Sequence, residues 1–267
     1  MYLSRRSRLV LRIVTLLTFA TLYVPLVVVA VLSFDKSKSF TWPPSGLTLH
    51  WWNLAATESG PRDALWMSLK TGLAATAVAL VLGTLAAFAL QRFRFFGRDT
   101  VNLVLILPIA LPGIVTGVAL NSAFRQVNFQ LGFGSLVVAH ATFCIVTVFN
   151  NVIARLRRLS PNVEEASADL GADTFQTFRY VTLPLLRSAL LAGALLAFAL
   201  SFDEIVVTTF TAGTGQTLPL WIFSNLFRPN QLPIVNAVAT AVVVLSIVPV
   251  YLAQRLTDAS AVGSPAL

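Results

Sequence analysis

The chain has 267 residues, of which 56% are hydrophobic and only 11% are charged, and its formal net charge is +8. Soluble domains carry roughly a quarter charged residues, so this composition excludes an ordinary soluble enzyme. It also excludes an intrinsically disordered chain, because disorder requires low hydrophobicity. Nucleic acid is not an expected partner, since the basic residues lie at the ends of apolar runs rather than on one folded face. The composition therefore predicts an integral membrane protein.

Six apolar stretches are long enough to cross a bilayer, which takes about 20 apolar residues in a helix. They are continuously apolar and rich in Ala and Leu, which favours helices over the alternating strands of a membrane barrel. The prolines inside them predict kinks that membrane helices tolerate. The predicted spans cover residues 9–34, 65–90, 101–124, 136–154, 185–209 and 234–254, with prolines at Pro25, Pro108, Pro112 and Pro249. The sequence thus predicts an all-α integral membrane fold with six transmembrane helices, forming a single transmembrane domain over residues 1–267.

The distribution of Lys and Arg predicts the orientation, because these residues collect on the cytoplasmic side of membrane proteins. Most of the 19 basic residues flank span ends on the same side as the N-terminus, in clusters at residues 5–12, 92–98 and 155–158. Both termini are therefore expected in the cytoplasm. On the opposite side, Trp51 and Trp52 indicate a short interfacial helix between the first two spans.

One long loop, residues 155–184, separates the fourth and fifth predicted spans and is expected in the cytoplasm. Ser160 and Pro161 are suited to begin a helix there, and two acidic residues early in that helix complement its dipole. Gly171 is placed to end the helix in a left-handed conformation. The sequence therefore predicts a short helix followed by a glycine turn.

A second short helix is expected from Thr174 to Thr182, with Pro184 opening the fifth span. Apolar residues on the two short helices form an outward face. They are Ala166, Leu170, Phe175 and Phe178. Taken by themselves, these features indicate a docking surface for a partner of unknown identity.

The spacing within this loop resembles the EAA loop of binding-protein-dependent ABC importer permeases. The chain has Glu165-Ala166-Ser167, then Gly171, then Val181 and Leu183-Pro184. The family pattern is Glu-Ala-Ala, three residues, Gly, nine residues, an aliphatic residue, one residue and Leu-Pro. The departures are a Ser for the second Ala and a Val for the usual Ile, and the spacing matches throughout.

The resemblance extends beyond the loop to the second permease subunit of spermidine/putrescine importers. It is carried by residues 201–207, Leu218-Pro219 and residues 236–240, while Cys144-Ile145-Val146 stands where relatives often have a proline. This resemblance implies a methionine-permease-like transmembrane fold in the bacterial inner membrane. It also implies that the chain forms, with a second permease, the translocation pathway for a polyamine.

The resemblance implies several partners: a second homologous permease subunit, a dimer of ATPase subunits and an extracytoplasmic solute-binding protein. ATP and Mg²⁺ are expected on the ATPase, because this chain has no Gly-x-x-x-x-Gly-Lys phosphate loop. No catalytic residue, metal or cofactor is expected on the chain itself. The residues to which the resemblance assigns ATPase coupling are Glu164, Glu165, Ala166, Asp169, Gly171, Ala172 and Pro184.

Two adjacent carboxylates, Asp203 and Glu204, lie within the fifth predicted span. Asp203 is about 28 Å along a helix that starts at Pro184. A charge at bilayer depth costs about 2.5–3.5 kcal/mol at mid-bilayer on insertion scales and is by default a functional candidate. Because adjacent helical positions point in different directions, we expect Asp203 rather than Glu204 to face the pathway.

A polyamine is a polycation that these carboxylates would attract in a partly desolvated cavity. Phe202 and Phe210 are candidates for stacking on its ammonium groups. The structural alternative is that one or both carboxylates pair with a base on the partner permease, or cap a broken helix near Thr208 and Thr209.

Other functions stay open at the level of sequence. An ABC permease for iron(III), an amino-acid-like solute or an opine would share the loop. A self-sufficient secondary transporter could use the two carboxylates as an ion relay, although no internal repeat of the kind common in such transporters is evident. A membrane-embedded enzyme lacks a supporting group of catalytic residues.

Overall fold

Helices joined by short turns and connections make up the regions that the computed structural model describes, which are residues 4–38, 42–160 and 162–246. Within them, the one element that is not helical is an isolated β-bridge between Asp35 and Leu47. Among these residues, four helices are long and apolar enough to cross a membrane, or five if one bent pair counts as a span. The helices are α1 (Arg5–Leu32), α2 (His50–Thr57), α3 (Ser59–Arg92), α4 (Arg98–Ala110), α5 (Gly113–Gln126), α6 (Phe133–Leu156), α7 (Asn162–Asp169), α8 (Thr174–Thr177), α9 (Leu183–Phe202), α10 (Val206–Thr211), α11 (Leu218–Asn225) and α12 (Leu232–Ser246).

Three predicted spans are confirmed as single long helices. The first, second and fourth correspond to α1, α3 and α6. Helices α3 and α6 extend beyond both ends of the predicted runs, whereas α1 starts before its run and ends at Leu32, short of the predicted end at residue 34. The side chain of Ser4 caps α1 by accepting a hydrogen bond from the Ser7 N–H at 3.2 Å. Helix α12 begins the sixth predicted span, and the remainder of that span, including Pro249, lies outside the described residues.

The third predicted span is not one continuous helix. It divides into α4 and α5, which are bent by 108° at the break. Leu111 adopts an extended backbone with ψ of 144° directly before Pro112, because the proline ring disfavours a helical conformation in the preceding residue. Pro108, by contrast, lies within α4 without interrupting it. The expected kink is therefore a sharp break at one proline.

The fifth predicted span, residues 185–209, is also wrong as an unbroken helix. Helix α9 ends at Phe202, and α10 begins only at Val206. At its other end, α9 follows directly on α8 through a π-helical turn, Phe178–Thr182, so the expected separate helix from Thr174 to Thr182 continues into the span. Pro184 has no N–H to donate, and the turn before it closes with a wider bond from the Leu183 N–H to the Phe178 carbonyl.

The chain divides into two compact units, and of the described residues the smaller contains those up to Arg62 together with those from Ile222 to Ser246. In this unit the segment after α1 folds onto the short helix α2. The buried Asp35 accepts hydrogen bonds from the Ser45 N–H and hydroxyl, both at 2.9 Å, and its carbonyl accepts one from Trp51 Nε1 at 2.7 Å. The predicted short helix at Trp51 and Trp52 is confirmed.

The larger unit, Asp63–Trp221, is built around α6. Helices α3 and α9 approach α6 closely because glycines lie at the contacts. A Cβ on Gly83 would lie 2.8 Å from the Ile145 carbonyl oxygen, and one on Gly193 would lie 3.4 Å from the Val148 Cα. Small residues allow membrane helices to pack backbone against backbone. Cys144 lies in this core, as expected for a packing residue, and its thiol donates to the Ala197 carbonyl at 3.2 Å.

Gly83→Ala should lower the thermal midpoint of the protein in detergent, because the added methyl group forces α3 away from the α6 backbone. Gly132→Ala is the matched control, since no atom lies within 4 Å of a Cβ at that position. Scanning fluorimetry of both variants beside the wild type would measure the difference. A Gly83→Ala midpoint equal to that of the control would contradict the close packing.

Candidate coupling and translocation sites

The first candidate site is the loop that contains α7. The two acidic residues in the first turn of α7 lie where its dipole favours negative charge. Gly171 has a φ of +83°, and the Ala172 N–H donates to the Ser167 carbonyl at 3.1 Å while the Gly171 N–H donates to the Ala168 carbonyl at 2.8 Å. These two bonds are the Schellman pattern, so the left-handed glycine end is confirmed. At the other end, Pro161 lies outside the described residues.

Glu164 joins α7 to two other elements. Its Oε1 accepts hydrogen bonds from the Arg92 guanidinium at the end of α3 and, at 2.7 Å, from the Thr182 hydroxyl in the π-helical turn. The Arg92 guanidinium also lies over the Phe88 ring, 5.3 Å from its centroid, and that ring contacts Phe178 edge to face. The carboxylate therefore holds α7 against both α3 and the segment that leads into α9.

The opposite face of the loop is exposed and largely apolar. Leu170 is 89% exposed, Tyr180 is 70% exposed and Phe175 is 67% exposed. Glu165, Ala166, Asp169 and Pro184 are exposed as well, while Ala172 is half-buried. Phe178 was expected on this apolar face, but in the structure its ring packs on Phe88. Such a patch on a loop rich in polar residues marks an interaction surface.

The helix that follows the glycine turn is held by a reciprocal cap. The Asp173 carboxylate accepts from the Gln176 N–H at 2.8 Å, and the Gln176 side chain accepts from the Asp173 N–H at 2.9 Å. A hydrogen bond of 3.0 Å between the Ser167 and Thr177 hydroxyls joins α7 to α8. The exposed face therefore stands on a loop whose helices are fixed by side-chain contacts.

The second candidate site is the break between α9 and α10. Asp203 is the capping residue directly after α9, and its exposed carboxylate has no hydrogen bond or ion pair with the described parts of the chain. Glu204 is half-buried and accepts a hydrogen bond from the Val207 N–H at 2.9 Å. Glu204 thus caps α10, which is the structural alternative open at the sequence level, and Asp203 is the carboxylate with free acceptor oxygens.

The two aromatic candidates occupy different surroundings. Phe202 lies beside Phe198, with ring centroids 5.8 Å apart. Phe210 packs on α5 so closely that a Cβ on Gly117 would lie 2.6 Å from its ring. Phe210 also lines a cavity of about 350 Å³ that contains Arg125. The structure therefore does not bring the two rings together with Asp203 into one described pocket.

Sequence reasoning missed the partners that fix these residues. Arg92 and Thr182 hold Glu164, and neither stood out because each lies far from it in the chain. Arg125 is oriented in the cavity by a 2.8 Å bond from its Nε to the Asn121 side chain, whose amide donates to the Phe210 carbonyl. A basic residue at the end of an apolar run was the one available signal for both arginines.

Comparison with known proteins gives concordant results. Residues 79–261 match the model of a family described as binding-protein-dependent transport system inner membrane component. The chain is 36% identical over 241 residues to the spermidine/putrescine transport system permease protein PotC of Haemophilus influenzae, a match that covers 90% of this chain and 93% of the relative. It is 35% identical over 239 residues to the putrescine transport system permease protein PotI of Escherichia coli K12, covering 86% and 84%.

A solved structure matches over almost the whole chain. It is the crystal structure of a bacterial ABC transporter involved in the import of the acidic polysaccharide alginate, with a TM-score of 0.70 and 17% identity. The match covers 97% of this chain and 98% of that chain. At this identity the likeness concerns the fold alone, and it shows that the chain shares its fold with a chain of that ABC transporter.

Reversing the charge of Arg92 or Glu164 should loosen α7. Arg92→Glu or Glu164→Arg should each raise the rate of tryptic cleavage after Arg157 and Arg158 about fivefold, the change expected for an ion pair worth about 1 kcal/mol. Cleavage at the substituted position 164 is scored separately. The double reversal should bring the rate most of the way back, because it rebuilds the ion pair but leaves the Thr182 hydroxyl without its acceptor. Limited proteolysis in detergent, followed by mass identification of the fragments, would measure it.

Arg94→Glu is the control for that experiment, because Arg94 is exposed near Arg92 and has no contact with Glu164 in the structure. Cleavage at the wild-type rate in both single reversals would show that the pair does not hold the loop.

Proposed function

We propose a substrate and a subunit composition for this chain, which belongs to the family of binding-protein-dependent transport system inner membrane components and is a permease subunit of an ABC importer. The proposed substrate is a polyamine such as spermidine or putrescine. The observation that carries the proposal is the exposed carboxylate of Asp203 at a helix break, in a chain similar over most of its length to PotC and PotI.

The chemistry of a polyamine suits that position. Its ammonium groups are donors without acceptors, and a carboxylate with free oxygens offers charge-assisted hydrogen bonds that strengthen as water is excluded. One oxygen of Glu204 already accepts a hydrogen bond from the Val207 N–H, so Asp203 is the stronger candidate for binding an ammonium group. Phe202 precedes it directly and offers an aromatic face for an ammonium group. Phe210 is proposed as part of the pathway wall, because its ring is packed on Gly117.

The proposed topology has six spans with both termini in the cytoplasm, and one permease domain over residues 1–267. In this arrangement α4 and α5 together supply the third span, α8 to α10 the fifth, and α12 with the residues after it the sixth. The loop at residues 155–184 then lies on the cytoplasmic side, where an ATPase can reach its exposed face.

The exposed face of the loop is proposed to dock on an ATPase subunit. Leu170 and Phe175 would enter a groove of that subunit, with Glu165 free to pair with a basic residue there. Glu164 would pass the movement of α7 to α3 and to the π-helical turn, because it already contacts Arg92 and Thr182. A rigid connection of this kind is what a lever between two subunits requires.

The proposed complex contains this chain, a second homologous permease subunit, two ATPase subunits and an extracytoplasmic solute-binding protein. ATP and Mg²⁺ would be bound by the ATPase subunits, and this chain would bind no cofactor of its own. Transport, rather than catalysis, is the role of the permease subunits to which the chain is similar.

The cavity beside Phe210 favours a second candidate, an amino-acid-like or opine solute. The Arg125 guanidinium lines this cavity and is oriented by Asn121, and it would bind a carboxylate rather than an amine. Competition experiments with both classes of solute would separate the two candidates.

Asp203→Asn should raise the apparent KM for spermidine about tenfold, because a neutral amide replaces a charge-assisted acceptor. Glu204→Gln should have a smaller effect on KM, since an amide oxygen can still accept from the Val207 N–H. Uptake of radiolabelled spermidine by vesicles containing the assembled complex would measure both. Asp63→Asn is the control, because Asp63 is exposed at the start of α3. An unchanged KM in Asp203→Asn would refute the role of this carboxylate.

Substitutions at Gly171 should separate backbone conformation from side-chain size. Gly171→Val should abolish most uptake while the protein stays in the membrane, because a non-glycine residue in the left-handed region costs about 1–2 kcal/mol. Gly171→Asn should retain uptake, since Asn tolerates that conformation. No atom lies within 4 Å of a Cβ there, so volume is not a factor. Equal uptake by the two variants would contradict the coupling role of the turn.

A further inference from the structure

His140 connects both sides of the break between α9 and α10. It lies in α6, and its side chain has no solvent exposure. Its Nδ1 is 2.7 Å from the hydroxyl oxygen of Ser201, in the last turn of α9. Its Nε2 is 2.9 Å from the hydroxyl oxygen of Thr208, in α10. One imidazole ring therefore contacts the helix before the break and the helix after it.

The donors and acceptors of this network can be assigned by counting. The Thr208 hydroxyl donates its one hydrogen to the Glu204 carbonyl at 2.7 Å, so it must accept from His140 Nε2–H. In a neutral imidazole the other nitrogen is an acceptor, so His140 Nδ1 accepts from the Ser201 hydroxyl. The three hydrogen bonds thus run in one direction, from Ser201 to the backbone of the break.

The network is part of a longer register between α6 and the broken helix. C-terminal to His140 in α6, the Cys144 thiol donates to the Ala197 carbonyl of α9. N-terminal to His140, the Ser135 hydroxyl donates to the Thr211 carbonyl of α10 at 2.7 Å. Helix α6 thus contacts α9 on one side of the break and α10 on the other, and His140 lies at the break itself.

A break at bilayer depth requires side-chain partners, because backbone groups that leave the helical pattern find no water there. Glu204 supplies an acceptor for one N–H, and Thr208 supplies a donor for one carbonyl. Thr208 is itself fixed by His140. The segment from Ser201 to Thr208, which includes Asp203, is therefore attached at both ends to the same ring.

We propose that His140 is a positioning residue that holds α9 and α10 in register across the break and so orients the Asp203 carboxylate toward the transported solute. The orientation toward solute rests on the proposed function, whereas the register between the helices does not. Removing the imidazole takes the acceptor from the buried Ser201 hydroxyl and the donor from the Thr208 oxygen, which then keeps only its bond to the Glu204 carbonyl, and the break is freed to adopt other conformations.

Two measurements test the proposal on the assembled complex in lipid nanodiscs. The first is hydrogen–deuterium exchange of the amides at residues 204–209 in His140→Leu and in Thr208→Val. The second variant keeps the side-chain volume, so it remains available if His140→Leu does not fold. Faster exchange is expected in both. The second is spermidine uptake, in which KM should rise about tenfold, as for the loss of two hydrogen bonds, while Vmax changes little.

Conservative replacements and a matched control sharpen the test. His140→Gln can still reach Thr208, so its KM should lie between those of the wild type and His140→Leu. Thr142→Val is the control, because the Thr142 hydroxyl donates only within α6, to the Ala139 carbonyl at 2.6 Å. It should leave both measurements unchanged.

Unchanged exchange at residues 204–209 in His140→Leu and Thr208→Val would overturn the proposal. So would faster exchange with an unchanged KM, since the ring would then hold the helices without positioning the solute site. If the wild-type complex takes up no spermidine, the proposed substrate fails, and the exchange result alone decides whether His140 holds the break.

Discussion

Backbone polar groups need partners away from water, and this requirement accounts for how the described helices break inside the apolar stretches. Continuous helices meet the requirement internally, and at two described breaks another feature of the chain compensates. At the break after α9, the carboxylate of Glu204 and the hydroxyl of Thr208 provide those partners, and His140 fixes the hydroxyl. At the break after α4, Pro112 removes one donor, so that one fewer group needs a partner.

The loop between α6 and α9 shows how a surface can be both exposed and rigid. Its inward side is fixed by Glu164, by the left-handed turn at Gly171 and by the reciprocal cap of α8. Its outward side presents Leu170 and Phe175 with few contacts of their own. Glu164 therefore ties the loop to α3 and to the turn that leads into α9. The proposed docking of an ATPase subunit on the outward side would act through these contacts.

Sequence patterns predicted the elements that depend on local properties. The long apolar runs located α1, α3 and α6, because helix formation in a bilayer follows from apolar length. The turn at Gly171 was predictable because glycine is the residue that best tolerates a positive φ. The third and fifth spans were wrong as continuous helices. Apolar length indicates that a segment lies in the membrane, but it does not show whether one helix continues through Pro112 or past the adjacent carboxylates.

The sequence by itself determined that this is a helical membrane protein with a long polar loop, because composition and apolar length are properties of neighbouring residues, and the resemblance of that loop to the EAA loop pointed to the permease family. Only the tertiary structure decided which carboxylates are engaged. It assigned Glu164 to Arg92, 72 residues earlier, left Glu165 exposed, and gave Glu204 rather than Asp203 a capping role. It also brought His140 to Ser201 and Thr208, 61 and 68 residues away. Such pairs depend on how helices pack, and no local periodicity specifies a hydrogen bond between residues so far apart in the chain.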